Sequence, residues 1–65
     1  MTIEEAEKFY QSIVDASGDD ELAHSLEDKF RELVLNEVAK GNQNSDRLAD
    51  IALSTKNIEF SRWYA

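Results

Sequence analysis

Three groupings in this 65-residue chain have residue types and spacings that could do chemistry. Asp15-x-Ser17-x-Asp19 repeats the alternate-residue oxygen donors that open a calcium-binding loop. Such a loop also needs a glycine at its sixth position and a bidentate carboxylate at its twelfth, and those positions here are Asp20 and Leu26. The segment therefore reads as a polar turn that caps a helix. Glu21-x-x-His24 has the spacing that places two metal ligands on one side of a helix in di-iron bundles, but that chemistry needs inward ligands from four helices. A helix through these residues turns both away from Leu22 and Leu26, onto its polar side. His24 is the only histidine, the chain has no cysteine, and no glycine-rich phosphate loop occurs. A Ser-His-Asp relay would have to be built on one surface imidazole. No catalytic residue, metal ligand or cofactor is assigned, and the expectation is a protein that is not an enzyme.

The elements that carry these residues read as helices. There is no proline, and apolar residues recur every three or four positions. Thr2 and Glu5 form a capping box, so a first helix is predicted over about 2–16. It turns Ile3, Ala6, Phe9, Tyr10, Ile13, Val14 and Ala16 inward. Gly18 is read as a left-handed helix stop, with Asp19 or Asp20 capping the next helix. That second helix, about 20–40, carries a core stripe of Leu22, Ala23, Leu26, Phe30, Leu33, Val34 and Val38, and it stops at Gly41-Asn42. Two of its residues break the stripe. Glu37 enters the apolar arc and is expected to pair with Arg47 or Arg62, whereas Leu35 points out of it. Ser45 is read as the cap of a third helix over about 46–53, with Leu48, Ile51 and Ala52 inward. A last helix is predicted over about 56–64, the alternative being an extended tail. The fold class is thus all-α: a small bundle of three helices plus a short C-terminal helical tail, in one domain.

Charge narrows the function. The formal net charge is −7, and it is unevenly placed. Residues 1–28 hold nine acids and one base, a local charge of −8, while residues 29–65 hold five acids and six bases, a local charge of +1. Glu4, Glu7, Asp15, Asp19, Asp20, Glu21, Glu27 and Asp28 are read as an acidic surface. Such a field repels phosphates and anionic membranes, so neither direct nucleic-acid binding nor a membrane partner is expected. The longest apolar run is only Leu33-Val34-Leu35, far short of the roughly 20 residues that cross a bilayer. With no cysteine and an acidic start, the chain reads as cytoplasmic. A chain this short buries little, and such chains commonly gain stability from a partner or from self-association. A protein partner and a homo-oligomer are therefore expected. The predicted contact residues are Leu35, Phe60, Arg62, Trp63 and Tyr64, because aromatic residues and arginine dominate interface energetics; the alternative for the three aromatics is a tail that folds back to cover the open end of the helical core.

Glu5-Ala6-Glu7-x-Phe9, Ile13, the Asp-rich turn, Glu21-Leu22 and Phe30-x-Glu32 resemble the first two helices of colicin-type nuclease immunity proteins, small acidic helical inhibitors. The resemblance covers roughly residues 2–35. The Tyr-Tyr-Pro motif of that family's third helix has no counterpart here, because residues 45–53 contain no tyrosine and the chain no proline. Two functions follow from the sequence. The first is a non-enzymatic module of regulatory, adaptor or inhibitor type that works by protein contact. The second is an acidic inhibitor that mimics nucleic-acid phosphates and occupies a basic site on a nuclease or similar enzyme.

Overall fold

The computed structural model describes residues 1–62, which form three α-helices, α1 (Ile3–Asp15), α2 (Asp20–Ala39) and α3 (Ser45–Ser54), and a 3-10 turn, Thr55–Asn57. No strand occurs among the described residues. Each helix packs against the other two. At 1.5 Å per residue α2 is about 30 Å long and α3 about 15 Å, and α2 sets the long dimension of the molecule, 33 Å.

The helix ends follow from local chemistry. The capping box at α1 is complete: the Glu5 N–H donates to Thr2 Oγ1 at 3.0 Å, and the Thr2 N–H donates to Glu5 Oε1 at 2.8 Å. Hydrogen bonding from the Thr2 backbone N–H, and then from the Thr2 side chain, holds the exposed Glu5 carboxyl below its ordinary pKa. Asp19 caps α2, its Oδ1 accepting from the Leu22 N–H at 3.1 Å. Gly18 does not take the left-handed conformation expected of it; only Gly41 does, with φ +80°. At Gly41 the geometry is a full Schellman motif. The Asn42 N–H reaches back to the Glu37 carbonyl at 3.1 Å and the Gly41 N–H to the Val38 carbonyl at 3.0 Å. Asn42 then joins the helices by its side chain, donating to Glu37 Oε1 at 3.1 Å and to the Met1 carbonyl at 3.2 Å while its Oδ1 accepts the Asn44 N–H at 2.7 Å. α3 begins at Ser45 rather than after it. The N-cap position falls on Asn44, which makes no side-chain cap hydrogen bond, and the Ser45 hydroxyl, already inside the helix, donates back to the Asn42 carbonyl.

The core consists of Ala6 and Ile13 from α1, Ala23, Phe30 and Val34 from α2, Leu48 and Ala52 from α3, and Ile58. Phe9 stacks on Phe30 with ring centroids 5.0 Å apart, the offset geometry aromatic pairs favour. The apolar arc predicted for α2 is wider than two neighbouring helices can cover. Leu22 and Val38 are left exposed, a correction to the expected stripe. Beyond Asn57 the helical tail does not continue. Residues 58–62 form no helix, and Ile58 is extended and buried, so among the described residues only the 3-10 turn at Lys56 and Asn57 is present of the helix predicted over 56–64. The reason is polar anchoring: the Ser61 N–H donates to Asp20 Oδ1 at 3.0 Å, and Arg62 reaches into a cluster on α2.

Candidate functional site

The predicted site residues separate into two sets once placed in the fold. Arg62, expected at a partner surface, is engaged within the protein. Its guanidinium straddles the Glu27 carboxylate, with Nε to Oε1 at 3.1 Å and Nη2 to Oε2 at 3.0 Å, and Nη2 also donates to the Thr55 carbonyl at 2.9 Å. It lies 3.9 Å over the Phe60 ring as a cation–π contact, and Phe60 packs on the core. Both residues therefore strap the tail to α2. Trp63 and Tyr64 lie outside the described residues.

Glu27, read from the sequence as part of the acidic surface, is buried at 1% exposure. It occupies the central row of α2 between Ala23 and Phe30, where a carboxylate is tolerated only because Arg62 and Arg31 meet it. Arg31 Nη2 is 3.5 Å from Glu27 Oε2 and donates to Thr55 Oγ1 at 3.0 Å. Burial pushes the Glu27 carboxyl up, but the Arg62 hydrogen bonds and the charges of Arg31 and Arg62 outweigh it and hold the group below its ordinary value. The same contact with Glu27 raises Arg62. Glu37 pairs neither with Arg47 nor with Arg62. It meets the ammonium group of Met1, and Lys40 lies 3.9 Å away. The hydrogen bond from the Met1 ammonium group, and then that from Asn42, hold its carboxyl below the usual range.

The acidic surface is otherwise where the sequence put it. Glu4, Glu7, Asp15, Asp19, Glu21 and Asp28 are exposed, while Asp20 is half-buried and engaged with Ser61. Among the described residues no cluster of three or more acids, histidines or cysteines is arranged to hold a metal ion. His24 is more shielded than its place on the polar side suggested: its side chain is 11% exposed and lies 3.6 Å from Asp28.

Leu35 stands out from α2 at 67% exposure, and it is not isolated. Leu53 of α3 is 62% exposed and Val38 is 40% exposed, and together they flank a groove of about 330 Å³ between the two helices. Its floor is Val34, Ala49 and Ala52, and Arg31 and Lys56 stand at one end. No acidic residue and no residue of α1 lines it. Leu53 and Val38 are the surface residues that sequence reasoning missed. Helical spacing carried the signal for Leu53, which falls four residues after Ala49 and on a different side of α3 from Leu48. A shallow, mostly apolar groove with no converging polar groups suits side-chain packing rather than bond-making. No helix among the described residues is long and apolar enough to cross a membrane.

The chain matches no family model, no curated protein and no solved structure. The likeness to immunity proteins therefore rests on the local pattern of two amphipathic acidic helices alone.

Proposed function

We propose that this protein is a non-enzymatic interaction module that acts by occupying another protein's surface through the outer face of α2 and α3. The observation that carries this reading is the joint exposure of Leu35, Val38 and Leu53 around one groove. A folded chain gains by covering clustered apolar side chains, and a cluster rimmed by charge marks a contact surface more often than an isolated leucine does. Phe60 and Arg62 support the module from within: they hold the tail against α2 and belong to its architecture rather than to its contact surface.

A second reading keeps the acidic inhibitor. It is supported by six exposed acids on α1 and the first part of α2, a field suited to a basic nucleic-acid-binding site. One capture experiment tests both. Tagged protein is used to retain partners at about 0.1 M and about 0.5 M salt, alongside Leu35→Asp and a Glu4→Gln, Glu7→Gln, Asp19→Asn variant. The primary reading expects retention that survives high salt and is lost with Leu35→Asp. Retention that fails at high salt and with the neutralised acids, while Leu35→Asp binds normally, would transfer the function to the acidic face.

A further inference from the structure

The groove between α2 and α3 is charged against the rest of the chain. Acids outnumber Lys and Arg 14 to 7 overall, yet the only charged residues that line the groove are Arg31 and Lys56. Both stand at one end, because α2 and α3 run antiparallel: Arg31 reaches Thr55 just past α3, while Asn42 ties the end of α2 to the start of α3. We propose that the groove takes an amphipathic helix of another protein, with an apolar stripe about two turns long laid along Leu35, Val38 and Leu53 and an Asp or Glu beyond the stripe meeting Arg31 and Lys56. The proposal rests on the α2/α3 face being the contact surface and names the chemistry of its occupant.

The charge at that end is not neutralised within the fold. Glu27 is already held by Nε and Nη2 of Arg62, and Arg31, 3.5 Å from the same carboxylate, donates instead to the Thr55 hydroxyl. Two guanidinium groups against one carboxylate leave a net positive charge. Arg31 Nε is buried with no hydrogen-bond partner among the described residues. Lys56 adds a second charge: it is exposed and forms no ion pair among the described residues. A basic occupant would add to this excess, whereas a carboxylate set at this end meets both cations. Charge-assisted pairing of that kind also fixes the register and direction of docking.

The apolar remainder of the groove decides the shape of the occupant. Arg31 and Val38 are seven residues apart on α2, about 10 Å, the distance covered by apolar residues at i, i+4 and i+7 of a partner helix. The floor includes Ala49 and Ala52, small side chains over which a further helix approaches closely. Both walls are helices, whose backbone hydrogen bonds are internal. An extended segment would find no strand edge to pair with and would bury its own N–H and C=O groups unmet, while a helix arrives with those groups already paired. α1 contacts both α2 and α3 but lines none of the groove, so it leaves this side of the pair open.

A displayed library of amphipathic helices about 18 residues long tests this, with leucine fixed at i, i+4 and i+7 and every flanking position varied among Glu, Lys, Gln and Ser. Clones are kept when they bind the protein but not Leu35→Asp or Leu53→Asp, both variants being checked for unchanged helix content by circular dichroism. Kept clones should favour Glu over Lys at least about fivefold one turn beyond one end of the stripe, and the best, as a labelled peptide, should bind Lys56→Glu at least about tenfold more weakly by fluorescence anisotropy. Replacing that peptide's Glu by Lys should restore its binding to Lys56→Glu. Kept clones with no preference for Glu, or indifferent to Lys56→Glu, refute the acidic occupant and leave the α2/α3 contact surface standing. Clones that bind the wild type and both leucine variants alike refute that surface as well. No clone above background overturns the helical partner. So does a protein that sediments at twice the chain mass until Leu35→Asp separates it, because the groove then belongs to a second copy.

Discussion

Replacing Glu27 by alanine should destabilise the fold by about 3 kcal/mol. The carboxylate is 1% exposed and receives two hydrogen bonds from Arg62, at 3.1 and 3.0 Å. A hydrogen bond to a charged group contributes about 1.5–3 kcal/mol, and removing one partner of a buried pair costs about 3–5 kcal/mol because the other is left uncompensated. The lower end applies because the side chains of Arg62 and Arg31 are 31% and 41% exposed, so water recovers part of their hydration. A chain of 65 residues has roughly 3–10 kcal/mol of total stability, so this one pair decides whether the tail, and with it Ile58, stays on the core. Urea unfolding followed by circular dichroism measures the loss. A double-mutant cycle of Glu27→Gln with Arg62→Gln should return a coupling of about 2 kcal/mol. Asp28→Asn, one position away on the exposed side, should change stability by no more than about 0.5 kcal/mol. A Glu27→Ala loss below about 0.5 kcal/mol, or no coupling to Arg62, would refute the assignment of Glu27 as the anchor of the tail.

Other consequences are as specific. Gly41→Ala should cost about 1 kcal/mol, since an L-residue is strained at φ +80°, whereas Gly18→Ala, in open space at negative φ, should be neutral or stabilising by up to about 1 kcal/mol; thermal melts compare the pair. Phe30→Ala removes a fully buried ring stacked on Phe9 and should cost about 3–5 kcal/mol, enough to abolish the cooperative urea transition. Glu27, Glu5 and Glu37 are all held below their ordinary values, so around pH 3–5 the unfolded chain binds more protons than the fold. The stability these groups contribute should be full above roughly pH 5 and lost as pH falls through their folded values. Urea midpoints across that range should fall with pH, less steeply for Glu27→Gln; a wild-type and Glu27→Gln slope that coincide would contradict the account.

The helices were legible because their signals are local. The Thr2 and Glu5 pair, Asp19 before Leu22, and Gly41 after Lys40 each act within one helical turn, and the structure uses all three. What depended on distant partners was not legible. Glu27 looked like surface because it is charged, and only the return of the tail with Arg62, 35 positions away, makes its burial affordable. Arg62 looked like a contact residue for the same reason in reverse. Glu37 was placed correctly in the apolar arc of α2, but its cation came from Met1 rather than from a nearby arginine, a pairing that spacing within one helix does not encode. The tail offered both readings, helical and extended, until Ser61 and Arg62 found Asp20 and Glu27. Half of the candidate site was readable: Leu35 disobeyed its helix, but Leu53 and Val38 become its neighbours only when α3 is laid beside α2.

The claim that the outer face of α2 and α3 is the working surface is tested most directly by methyl NMR. Leucine and valine methyls are followed as the protein is concentrated or mixed with a captured partner. Shifts should concentrate at Leu35, Val38 and Leu53, with Leu22, equally open to solvent at the other end of α2, unmoved. Shifts confined to α1 and its acidic neighbours, with those three side chains silent, would contradict it.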